Sequence, residues 1–260
     1  MKIIIGLIPL LAMLASVLVY KQNGKKEILR FDMVQFFYAF ILMPTVYIWF
    51  KWFLFTLLKN ELGGLISQNE LFFWDTVYSV FFLFLSAFVV IHSLTKSFEL
   101  KRRKDPLYDL FEHSEYYHLW FSHTSLFIGL MLLITLISSS NIWLDSIFYI
   151  SQNVFYLILL TTPILALAVF KAFKLSDFGD FRFLKLMKLF VGIFFFVHGV
   201  LFILFEPVFS GEKIMYWYTT NTFGFLSLIS LVHSSDPEPL PIHKRVLGKA
   251  KLVINKVIKS

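Results

Sequence analysis

Seven runs of about 20 mainly apolar residues, separated by short polar segments, limit this chain to very few folds. They lie at 3–20, 31–52, 71–93, 119–139, 145–170, 185–206 and 214–233. Each matches the length a helix needs to cross a hydrocarbon core about 30 Å thick, and a helix satisfies its own backbone polar groups where no water is present. The expected fold is therefore all-α: a polytopic integral membrane protein with seven transmembrane helices in residues 1–236. A Pro-rich linker and a tail follow in residues 237–260. Only 16% of the residues are charged, against about 25% in soluble domains. The first run follows Lys2 as a secretory leader would, but no small-x-small cleavage site comes after it.

Lysines and arginines sort into alternate loops. One set comprises Lys21 to Arg30, Lys96 to Lys104, Lys171 to Lys188 and Lys244 to Lys259, and it holds 20 of the 24. The other holds only Lys2, Lys51, Lys59 and Lys213. Basic residues are retained on the cytoplasmic side, so the N-terminus is expected outside and the C-terminus inside. A net charge of +7 carried in this way suits lipid headgroups and not nucleic acid. Such a chain belongs in a cell membrane, plasma or bacterial or archaeal inner. Tryptophan favours interfaces, and Trp49, Trp52, Trp74, Trp143 and Trp217 are expected near outer ends, with Trp120 near an inner one.

Within the runs, Pro9, Pro44 and Pro163 each remove a backbone hydrogen bond and are expected to bend a helix. Residues Asp105 to Ser139 read as one long helix, capped by Asp105 with Pro106 in its first turn. Three sequence echoes link runs one to three with runs five to seven: Pro9 with Pro163, Arg30-Phe31 with Arg182-Phe183, and His92-Ser93 with His233-Ser234. They suggest a 3+1+3 arrangement about the central helix. After Pro237, Pro239 and Pro241, residues 243–259 form an amphipathic pattern. Lys244, Arg245, Lys249, Lys251, Lys256 and Lys259 occupy its polar arc, and a helix there would lie on anionic inner-leaflet lipid.

Two constellations carry chemistry. In the outer half, His198 falls roughly 12 Å from the end of its span at 1.5 Å per residue. Asp75, Tyr78, Gln152, Asn153, Thr219, Thr220 and Asn221 fall at similar or shallower depths. Polar groups in hydrocarbon face one another or water, so these are expected to line a pocket for a small polar solute, with Asp75 and His198 exchanging protons. The alternative is a set of hydrogen bonds that only join helices.

Near the cytoplasmic face lie His92, His113, His118, His123 and His233. With Glu115, which stands in Glu-x-x-His spacing to His118, they offer ligands to a metal or haem. The spacing counts against this: five residues along an α-helix turn the side chain by 140°, and no second Glu-x-x-His occurs. Interfacial histidines are the simpler reading, and no cofactor is expected.

The absence of cysteine removes disulfides, thiolate zinc sites and cysteine-held iron-sulfur clusters. Span seven has no lysine for a retinal Schiff base, and the chain has no phosphate loop, nucleophile elbow or zinc-protease motif. The leading expectation is a small-solute or proton-coupled transporter or channel-like protein. A metal- or haem-dependent membrane enzyme and a receptor or assembly subunit are the alternatives.

Overall fold

In a computed structural model of the chain, residues 2–23, 25–28, 31–60, 62, 64, 66–102, 117–146, 150–177 and 182–233 are described. They are helical apart from short connections. Helix α1 (Lys2–Tyr20) leads to a two-residue antiparallel pair, β1 (Glu27–Ile28) and β2 (Phe31–Asp32), in which Glu27 lies opposite Asp32. The Asp32 carboxylate then accepts the N–H of Val34 at 2.9 Å and caps α2 (Met33–Phe37). A π-helical segment (Tyr38–Leu42) joins α2 to α3 (Met43–Asn60). Next comes α4 (Gln68–Arg102), then a second π segment (Tyr117–Ser122) running into α5 (His123–Trp143). The remaining helices are α6 (Gln152–Leu159), α7 (Thr162–Ser176), α8 (Arg182–Phe205) and α9 (Ile214–Val232), the last preceded by a 3-10 turn (Gly211–Lys213).

Five stretches are long and apolar enough to cross a membrane: Met33–Lys59, Gln68–His92, Trp120–Trp143, Gln152–Ser176 and Phe183–Phe205. Each of the seven expected runs contains helix. In the first, α1 is apolar over Leu7–Tyr20 among the residues whose side chains are described, and in the seventh the first half of α9 carries the polar sequence Thr219-Thr-Asn-Thr222.

Several expected boundaries move. The second run continues as helix to Lys59, which takes Lys51 out of a loop, and Trp49 is a core residue. Helix α4 continues beyond residue 93, so Lys96, Lys101 and Arg102 extend a helix and do not form a loop. The fifth run starts as helix only at Gln152. The Asp105-Pro106 start, His113, Glu115 and the tail with its lysines lie outside the described residues.

Two prolines act as their chemistry requires. Pro44 has no N–H to give, and the turn before it widens, with the Met43 N–H bonding to the Tyr38 carbonyl five residues back. Pro163 interrupts the fifth run between α6 and α7. The carbonyl of Leu159, which residue 163 would otherwise bond, instead accepts the Thr162 hydroxyl at 2.7 Å.

Helix α9 lies among α5, α7 and α8, and α1 packs along α7 and more lightly on α3; α3 meets α4, and α4 meets α5. Two apolar clusters fill the gaps. One joins α1, α3, α4, α6 and the first turn of α9 through Leu10, Leu54, Phe82, Phe155 and Met215; the other joins α5, α7, α8 and α9 through Met131, Phe173, Met187 and Leu226. The two proposed three-helix units do not pack alike. Helices α7 and α9 share the largest interface in the bundle, and the corresponding pair α1 and α4 shares no comparable one among the described residues.

Where α4 crosses α5, Gly129 takes the place a side chain would fill: a Cβ there would stand 2.0 Å from Leu85 Cδ2. Small residues allow such close approach between apolar helices. Gly129→Val is expected to cost about 1–3 kcal/mol by overpacking and to lower the melting midpoint in detergent. Adding Leu85→Ala should recover part of that loss, and an unchanged midpoint in the single variant would mean that the helices are not in contact there.

Candidate functional site

The polar centre of the bundle is a run of four residues near the end of α5, Ser138-Ser-Ser-Asn141. Successive residues on a helix project 100° apart, so four in a row reach different neighbours. Ser138 meets α8, Ser139 returns to the Thr135 carbonyl of its own helix, Ser140 meets α4, and Asn141 meets the start of α9.

His198 of α8 is fully buried against Ser138. Its Nδ1 lies 2.8 Å from the Phe194 carbonyl, which can only accept, so Nδ1 carries the proton. The Ser138 hydroxyl stands 2.7 Å from Nε2 and 2.9 Å from the Thr135 carbonyl, so its single proton serves both contacts. The Tyr216 hydroxyl donates to the His198 carbonyl at 2.8 Å, and the Tyr216 and Phe223 rings pack on the imidazole at 5.8 and 5.4 Å. Both ring nitrogens are thus occupied inside a three-helix contact of α5, α8 and α9.

Asn141, also fully buried, uses its whole hydrogen-bonding capacity. Its Nδ2 donates to the carbonyls of Leu144 and Glu212, both at 2.9 Å. Its Oδ1 accepts the N–H groups of Met215 at 2.9 Å and Tyr216 at 3.3 Å. These are donors in the first turn of α9, so that helix is capped from a different helix. Beside it, Lys213 pairs with Asp145 at 2.6 Å and donates to the Ile142 carbonyl at 2.8 Å. Sequence reasoning missed Asn141. The available signal was negative: Lys213 stands at the N-cap position of α9, where a Ser, Thr, Asp or Asn would serve.

A third group joins α3 to α4. The Lys51 ammonium is ion-paired with the Asp75 carboxylate and donates to Ser79 Oγ at 2.8 Å. Lys51 is eight residues before Lys59 and Asp75 seven after Gln68, placing the pair roughly 10–12 Å along each helix from its end. Both side chains are 28% exposed. Tyr78, one turn on from Asp75, is 3.1 Å from Ser140 through its hydroxyl. Sequence reading had placed Lys51 in a loop because the run of apolar residues weakens there.

The expected pocket residues are thus spread over separate contacts. Asp75 is held by Lys51, Tyr78 by Ser140 and His198 by Ser138. Gln152 and Asn153 sit exposed in the first turn of α6, with Gln152 donating to Tyr156 at 3.1 Å, so they are at a helix end and not at depth. Thr220 and Asn221 are half-buried in the second turn of α9, and Thr219 is buried beside them. Among the described residues, no hydrogen bond links these three to Asp75 or His198.

At the opposite end of the bundle, His92 of α4 and His123 of α5 meet, Nδ1 of the first standing 3.1 Å from Nε2 of the second. His233 is placed elsewhere, against the Phe170 ring, with its carbonyl accepting from Lys188. The 140° step expected between His118 and His123 does not apply. The backbone from Tyr117 to Ser122 is π-helical, with a wider turn than an α-helix, so five residues there rotate the side chain by less than 140°. Among the described residues, no group of three or more histidine, aspartate or glutamate side chains gathers.

Asn141→Ala would leave buried N–H and C=O groups without partners and is expected to lower stability by about 1–3 kcal/mol, read as a drop in melting midpoint. Asn153→Ala, at an exposed position, should stay within about 0.5 kcal/mol. Equal midpoints for the two would remove Asn141 from its capping role.

Comparison with known proteins adds no relative: the chain matches no family model, no curated protein and no solved structure.

Proposed function

We propose that the protein crosses the membrane seven times with its N-terminus outside, and that it moves protons or a small polar solute through a site centred on Asp75. The observation that carries this reading is the Lys51–Asp75 pair with Ser79, set well inside two apolar spans yet partly open on both side chains. Ionisable groups at such depth are costly, and they recur where ions, protons or polar solutes pass. A carboxylate held by a lysine and a hydroxyl can release that lysine when it accepts a proton. The polar end of α5 lies next to it through Ser140 and Tyr78.

Orientation follows from the basic residues. With Lys51 inside a helix, the outer segments retain Lys2, Lys59 and Lys213, so the asymmetry becomes steeper. In that orientation the tail bases Lys244, Arg245, Lys249, Lys251, Lys256 and Lys259 face the anionic inner leaflet. An assembly subunit is the second reading. It draws on the partial exposure of the same ion pair, where a polar group on a partner helix would find a hydrogen bond.

The test is proton flux into vesicles carrying the purified chain and an internal pH-sensitive dye, after the medium is acidified. Wild-type vesicles should acidify faster than empty ones, and Asp75→Asn with Lys51→Met, which removes both charges together, should abolish the difference while the protein still melts cooperatively. Wild-type vesicles no faster than empty ones would sink the proton-coupled reading.

Separately, reporter tags at the two termini are expected on opposite sides of the membrane. Both on one side would overturn the seven-crossing topology.

A further inference from the structure

His92 lies in α4 and His123 in the first turn of α5, at the end of these two antiparallel helices opposite the Tyr78–Ser140 contact. Their nitrogens are 3.1 Å apart. Two nitrogens bound to one ion at about 2.0–2.1 Å stand roughly 3 Å apart for bond angles between square and tetrahedral. The ring centroids are only 4.7 Å apart with planes 35° from parallel. That is closer than an end-to-end imidazole pair with the same nitrogen spacing would hold them, so the rings lean side by side, their facing nitrogens joined by a hydrogen bond. The Phe183 ring approaches His123 at 6.1 Å. A π-helical turn leads directly into His123, and such turns recur at functional sites.

From this juxtaposition we propose that His92 and His123 together bind a divalent transition-metal ion, zinc, nickel or copper, as two neutral imidazoles, with water filling the remaining positions. Imidazole favours these ions over magnesium and calcium, which prefer oxygen. Binding ties α4 to α5 at the end opposite the Lys51–Asp75 pair, so this inference stands independently of the transport reading.

The experiment is calorimetric titration of the chelator-stripped full chain in detergent with zinc and with nickel chloride. One ion per chain is expected. His92→Gln and His123→Gln should each weaken binding at least tenfold, and His233→Gln, at a separate position, should leave it unchanged. Melting without metal reports whether each variant folds. A second measurement needs no variant: the paramagnetic resonance spectrum of the copper-loaded wild-type chain should show two imidazole nitrogens on the metal. No saturable binding, unchanged affinity in both folded variants, or fewer than two imidazole nitrogens would overturn the proposal.

Discussion

Inside hydrocarbon, a polar group that finds no partner in the protein finds none at all. That demand organises this bundle more than apolar packing does, because lipid is as good a solvent for leucine as another helix is. It explains why the Thr162 hydroxyl takes up the Leu159 carbonyl that Pro163 leaves open, and why Asn141 spends two donors and two acceptances on the entrance to α9. It also explains how four consecutive polar residues fit in the apolar helix α5: a 100° step sends Ser138, Ser140 and Asn141 to three different helices, and Ser139 bonds back to its own.

The same demand separates structural polarity from functional polarity. His198 is fully buried, but the Phe194 carbonyl and the Ser138 hydroxyl use both of its nitrogens and aromatic rings enclose it. A group so fully engaged joins helices. Lys51 and Asp75 differ in kind. A charge pair in a low-dielectric setting must offset a large desolvation cost that a neutral hydrogen bond does not carry, and partial exposure leaves this one within reach of water or a partner. Depth alone did not rank the candidates; the combination of charge and access does.

At the other end of the helices the backbone itself is unusual. Two π-helical segments occur, and they have different contexts. The one at Tyr38–Leu42 precedes Pro44, whose missing N–H accounts for the widened turn. The one at Tyr117–Ser122 has no proline after it and leads directly into the histidine that meets His92. A widened turn there changes which residues share a face, and an argument from α-helical steps of 100° fails across it.

Much of the helical order was legible from residue type alone. Apolar runs of bilayer length, prolines inside them and the clustering of lysines and arginines depend on local composition, which a one-dimensional reading captures. The places of Asp75 and Tyr78 in α4 and of His198 in α8 followed from the same counting. What neighbours them did not, since the pairing of Lys51 with Asp75, of Ser138 with His198 and of Asn141 with the start of α9 joins residues 24, 60 and 74 positions apart. Their contact depends on how helices rotate and cross, set by close approaches such as Gly129 on Leu85. Sequence by itself determined that this chain is helical and apolar enough for a membrane. Only the tertiary structure decided which polar groups satisfy one another and which remain accessible, because the facing of two helices is a property of their packing and not of either one alone.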